Sequence, residues 1–105
     1  MFERFFNNTN ELMCIFDSEV KFLDLNDAFI TLLGFPKNTI LSKPLTFYVH
    51  ANDIKKTQDK LSQLSDGLEV INLENRYISN NNCTYILSWN LYPDIINGEI
   101  YGVVK

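Results

Sequence analysis

Few residues of this chain could do chemistry, and their spacing argues against most of it. The single histidine, His50, stands in His50-Ala51-Asn52-Asp53, directly ahead of a long helical pattern. There its ring reads as a group that bonds nearby backbone. Acid–base or nucleophilic catalysis needs a nucleophile, a base within reach and a third group to orient the base. No such constellation forms around His50. Cys14 sits inside the apolar run Leu12-Met13-Cys14-Ile15-Phe16 and reads as a small core residue. Cys83 follows Asn80-Asn81-Asn82 and reads as a turn residue. Two cysteines make no disulfide framework, and with no CxxC and one histidine a structural zinc site is set aside. The carboxylate pairs Asp17/Glu19 and Asp24/Asp27 fall at turns and caps. Glu74 and Arg76, two positions apart on one strand, share a face and are expected to pair on the sheet surface. The expectation is a chain with no catalysis of its own.

With 105 residues, 46% of them hydrophobic, the sequence supports one domain with one core. The net charge is −4, and an acidic domain repels phosphate backbones. Lys55, Lys56 and Lys60 form the densest basic group, but Asp53 and Asp59 interrupt it, so nucleic acid is not an expected partner. Apolar stretches are far shorter than the ~20 residues a membrane-spanning helix requires, and the first ten residues mix Phe with Glu, Arg and Asn rather than forming a secretory leader. A cytoplasmic domain is expected, free or as the cytosolic part of a membrane-anchored receptor.

Residues 1–10 form a flanking helix with Phe2, Phe5 and Phe6 at i, i+3, i+4, too short to be stable undocked. Residues 11–105 form the domain. Leu12 to Asp17 and Val20 to Leu25 read as strands around an Asp17-Ser18-Glu19 turn. Val20, Phe22 and Asp24 are placed on one face of the second, with Lys21, Leu23 and Leu25 on the other. Asn26 caps a helix that Gly34 ends. A helical turn spans Asn38 to Leu41, and Thr46 to His50 is a short apolar connector. Asn52 or Asp53 caps a longer helix with Ile54, Leu61, Leu64 and Leu68 at core spacing, ending at Gly67. Val70 to Ser79, Thr84 to Tyr92 and Glu99 to Lys105 are strands, the last two joined through an Asn97-Gly98 turn. Strands at both ends with short helices between them predict an α+β domain with an antiparallel sheet.

Asn26-Asp27-Ala28-Phe29, Leu33-Gly34-Phe35, His50-Ala51-Asn52-Asp53, Glu74-Asn75-Arg76-Tyr77, Trp89 four residues before Pro93, and Ile100-Tyr101-Gly102-Val103 follow one another in an order and spacing that resemble a PAS domain. The resemblance extends over nearly the whole chain. It implies a five-stranded antiparallel sheet with short helices on one face, in a sensory or dimerisation module. Such modules sit ahead of a histidine kinase, diguanylate cyclase or other C-terminal output domain. The family's Lys-Asp-Gly turn between the third and fourth strands is replaced by Asn81 and its neighbours, tolerable because Asn adopts positive φ more readily than other non-glycine residues. The flavin-binding light-oxygen-voltage branch carries a reactive cysteine before the long helix. Here that region, Leu41 to Phe47, holds none. A haem-binding relative needs an axial histidine, and His50 is placed at a helix start instead. No cofactor is predicted, and an unidentified small-molecule ligand stays open.

Strand parity matched to the family pattern directs Leu73, Asn75, Tyr77, Tyr85, Leu87, Trp89, Leu91 and Val104 toward the helices. Of these Asn75, Tyr77, Tyr85, Leu87, Trp89 and Leu91 are the ligand-cavity candidates. Asn75 is the polar exception, needing a partner or a ligand because an unpaired buried amide costs ~1–3 kcal/mol. Val70, Asn72, Glu74, Arg76, Ile78, Ile86, Ser88, Asn90, Tyr92, Tyr101 and Val103 are placed outward, an apolar surface that calls for a cover. Phe2, Phe5, Phe6, Ile86, Tyr101 and Val103 are accordingly the homodimer-interface candidates, the alternative being that the flanking helix folds back on its own sheet.

Overall fold

The computed structural model describes residues 6–105. Phe2 and Phe5, and with them most of the expected flanking helix, lie outside the described residues. Strands β1 (Leu12–Asp17) and β2 (Phe22–Leu25) are followed by helices α1 (Asp27–Leu33) and α2 (Lys37–Ile40). Short 3-10 turns at Leu45–Tyr48 and Ala51–Asp53 lead into α3 (Ile54–Leu61), which tightens into a 3-10 turn at Ser62–Asp66. The chain closes with β3 (Val70–Ile78), β4 (Thr84–Asp94) and β5 (Glu99–Val104). All strand pairs are antiparallel, in the order β2-β1-β5-β4-β3. The five-stranded antiparallel sheet with short helices over one face is the architecture the sequence implied.

Two bulges decide which side chains reach the core. In β1–β2, Ile15 faces Asp24 and Phe16 faces Phe22, so Leu23 is an extra residue. It therefore points outward, 46% exposed, while Phe22 and Leu25 are both buried. The expected alternation, with Leu23 and Leu25 on one face, fails for this reason. Val20 precedes the strand rather than starting it, with φ at 61° inside a turn closed by Asp17. In β3, Val70 faces Leu91 and Leu73 faces Trp89, so two residues oppose Asn90. Asn72 takes φ 56° at this bulge and its N–H is met by the Asn90 side chain at 2.8 Å. The bulge turns Val70 inward, 1% exposed, where parity alone directs it outward.

Helix α1 is capped as expected. The Asn26 side-chain oxygen accepts from Phe29 N at 3.1 Å, and Gly34 ends the helix at φ 75°. Asn26 is fully buried and also ties the segment before β1 to the fold: it accepts from Met13 N and donates to the carbonyls of Phe6 and Glu11. The long helix is shorter than its periodicity suggests. Leu68 lies beyond Gly67 (φ 75°) and is 55% exposed, so it does not extend the core stripe. In the β3–β4 turn the positive φ falls on Asn82, at 62°, not on Asn81.

Candidate functional site

The inner face of the sheet gathers the predicted cavity residues, and the structure fills the space between them. Trp89 on β4 is fully buried among the rings of Phe16 (6.2 Å between centroids), Phe29 (5.7 Å) and Tyr77 (5.4 Å). Tyr77, Leu87 and Leu91 are buried in the same cluster and Tyr85 packs partly buried against it. The Tyr77 hydroxyl donates to the Leu45 carbonyl, fastening β3 to the Leu45–Tyr48 turn. Burial pushes the Tyr77 hydroxyl and the Cys14 thiol well above their ordinary pKa values.

Asn75 is buried and its amide is used from both sides. Its oxygen accepts the Trp89 indole N–H at 3.0 Å, and its nitrogen donates to Thr57 Oγ1 at 3.3 Å. The Thr57 hydroxyl in turn donates to the Asp53 carbonyl at 2.7 Å. A polar thread thus runs from the central indole through β3 to the first turn of α3. Thr57 was legible in principle: it shares the face of Ile54, Leu61 and Leu64, and it is fully buried.

The thread ends on an ion pair that sequence reasoning missed. Asp53 holds the N-cap position of α3, but its side chain makes no capping hydrogen bond to the helix. Its carboxylate receives the Arg76 backbone N–H at 2.8 Å and the guanidinium at 3.0 and 2.8 Å. Arg76 pairs with Asp53 rather than with Glu74, because β3 is an edge strand whose Arg76 N–H points to the helical side. The Arg76 hydrogen bonds hold the Asp53 carboxyl well below the usual carboxylate range. His50 N donates to the Arg76 carbonyl at 2.8 Å, and its ring Nδ1 accepts from Asn52 N at 3.1 Å, which makes the histidine the cap of the Ala51–Asp53 turn. Twenty-three residues separate Asp53 from Arg76, so no local spacing announced the pair.

Tyr48 is the exception to this satisfaction. It is stacked on Phe35 at 4.6 Å, and its enclosed hydroxyl has no hydrogen-bond partner among the described residues. A separate cleft of about 350 Å³ opens between the β1–β2 turn, the Leu45–Tyr48 turn and α3, with Val20, Leu45, Gln58 and Leu61 in its walls. None of the inner-face candidates lines it.

On the opposite face Ile86 is 72% exposed, and Ile78, Tyr92, Tyr101 and Val103 are half-buried around it. The Tyr101 hydroxyl bonds Glu99 and Asp94 at 3.2 and 3.3 Å. Phe6 is buried within this chain, 4% exposed, beside Asn26. Among the described residues no group of His, Cys, Asp and Glu is arranged to hold a metal ion.

Comparison with known proteins agrees with this geometry. A family profile described as a PAS domain matches residues 1–74. No curated protein matches the chain. Among solved structures, a domain of a sensory box sensor histidine kinase/response regulator from Geobacter sulfurreducens is similar at TM-score 0.86 and 17% identity, covering 99% of this chain and 90% of that one. The PAS domain of an HTR-like protein from Haloarcula marismortui gives TM-score 0.82 and 18% identity, covering 99% and 92%. The PAS-B domain of Drosophila melanogaster Cycle, with bound glycerol, gives 0.72 and 21%, covering 90% and 95%. At such identities these likenesses speak for the fold, while the matched profile spans well over half of the sequence: the chain belongs to the PAS domain family.

Proposed function

We propose that this PAS domain is a sensory and dimerisation module of a larger, cytoplasmic and bacterial signalling protein. A second copy packs on the outer face of the sheet, and a rearrangement of that contact passes to a C-terminal output domain such as a histidine kinase or diguanylate cyclase. The observation that carries the reading is Ile86, 72% exposed at the middle of an apolar outer face. A soluble domain seldom leaves such a patch bare. The sensory box and HTR-like context of the structural neighbours supports it. The inner face supports it from the other side: its polar groups are largely bonded to one another, so a change of interface is favoured over a large bound ligand as the input. Sedimentation equilibrium tests this directly. A dimer that Ile86→Glu and Val103→Glu dissociate is expected; a monomer at all concentrations overturns the reading.

A second reading rests on Tyr48. A buried hydroxyl left unpaired costs ~1–3 kcal/mol, and a small hydrogen-bond acceptor lodged beside it would remove that cost. Native mass spectrometry that finds a co-purified small molecule, lost in Tyr48→Phe, would favour ligand sensing through the interior. Bare protein in both samples would remove it.

A further inference from the structure

Leu12 and Val104 lie at one end of the sheet, and an apolar tip ringed by carboxylates occupies the other. Leu12 pairs with Val104 where the strands begin and finish, whereas Asp17 and Asp94 flank Glu99 at the far end. There the β4–β5 turn raises Ile95 and Ile96, 78% and 94% exposed, and the corner after Gly67 raises Leu68, 55% exposed. The two corners touch: a methyl group placed on Gly67 would come within 3.1 Å of the Ile95 side chain. Beside them a cleft of about 260 Å³ has Leu64, Pro93, Ile95 and Ile100 in its walls together with Asp94 and Glu99.

Carboxylates dominate the charge at this end. Asp66 and Glu69 flank Leu68, and Asp94 and Glu99 flank the isoleucine turn. Among the described residues none of these four carboxylates has a cationic partner, and the nearby Lys21 is engaged by Glu19 at 3.1 Å. A second copy presenting the same tip would meet like charge, and so would an anionic lipid surface. An aliphatic cleft with carboxylates among its walls suits a side chain with an apolar stem and a cationic head.

We propose that this end of the domain docks a basic amphipathic helix of a partner protein, its apolar face on Leu68, Ile95 and Ile96 and its lysines or arginines on the surrounding carboxylates. The surface lies at the opposite end of the sheet from Leu12 and Val104 and away from the outer sheet face, so it stands or falls independently of dimerisation.

The probe is a synthetic amphipathic helix with a leucine face flanked by lysines and arginines, titrated into the isotope-labelled chain. Amide shifts should concentrate at residues 66–69 and 94–99. The affinity should fall at least ~tenfold in Ile95→Ser/Ile96→Ser and fall again with added salt. The same peptide with glutamate in place of each cation should not bind. Both isoleucines are exposed, and buried-tryptophan emission confirms that the variant is folded. Four outcomes would overturn the proposal: no binding, shifts centred elsewhere, equal binding by the double variant, or equal binding by the glutamate peptide. So would phosphatidylserine-vesicle binding, or self-association, that the double variant abolishes.

Discussion

The Trp89 indole N–H donates to the Asn75 side-chain oxygen at 3.0 Å, diagonally across the β3–β4 ladder, with Leu73 directly opposite the tryptophan. The bond gives the one polar side chain expected on the inner face its partner, and through Thr57 it connects the middle of the sheet to α3. Replacing Asn75 by Ala should destabilise the domain by ~1–3 kcal/mol, since the indole N–H is then buried without an acceptor. Trp89→Phe should cost a similar amount, and the double variant less than the sum, because the two residues share one interaction. Urea unfolding of the four proteins measures this. Strict additivity would mean that the bond contributes nothing.

The Asp53–Arg76 pair should be visible in the pH dependence of stability. The Asp53 carboxyl is held below its ordinary value by the Arg76 hydrogen bonds. Its stabilisation is therefore complete above the unfolded-chain value of ~4 and is lost as pH falls through the lower folded-state value. Asp53→Asn should lower the melting temperature at neutral pH and flatten the acid limb below about pH 4. Melting curves that fall in parallel for both proteins through that range would contradict the assignment.

Gly102 lies on β5 between Cys14 and Leu91. A Cβ there would stand 2.7 Å from the Cys14 sulfur, 3.2 Å from Leu91 and 3.3 Å from Phe16. Gly102→Val should therefore cost ~1–3 kcal/mol or more by overpacking. Adding Cys14→Ala should recover part of the loss by making room, which chemical denaturation would detect. No recovery would place the strain elsewhere.

Asn72 holds φ 56° at the β3 bulge. Asn72→Gly should be close to neutral, whereas Asn72→Val should destabilise by ~1–2 kcal/mol. A valine variant as stable as the parent would show that the bulge is not fixed by this residue.

These sites also mark where the sequence was legible. The strand–helix order and the Asn26 and Gly34 caps follow from short-range pattern, because caps and period-2 alternation are local properties, whereas the inward direction of Trp89 comes from the resemblance to the family, since alternation alone does not say which face is inside. The two bulges are not local. Whether Leu23 or Val70 faces the core depends on which partner residue each strand skips, and nothing in either strand alone records it. The same limit hid the Asp53–Arg76 pair: Arg76 had a nearer acidic neighbour in Glu74, but the outer edge of β3 turns its N–H toward Asp53. Leu68 failed for another reason, since a hydrophobic repeat continues in sequence after Gly67 has ended the helix in space.

The most direct test of the dimerisation account is intermolecular paramagnetic relaxation enhancement from a nitroxide at position 88. Ser88 lies on the outer face, opposite Glu74 and two residues from Ile86. A mixture of spin-labelled chain and isotope-labelled, unlabelled chain reports only contacts between copies. The account predicts strong broadening at Ile86, Tyr101 and Val103 and little at the Ile95–Ile96 turn. Unbroadened spectra at high concentration, or broadening centred on that turn, would contradict it.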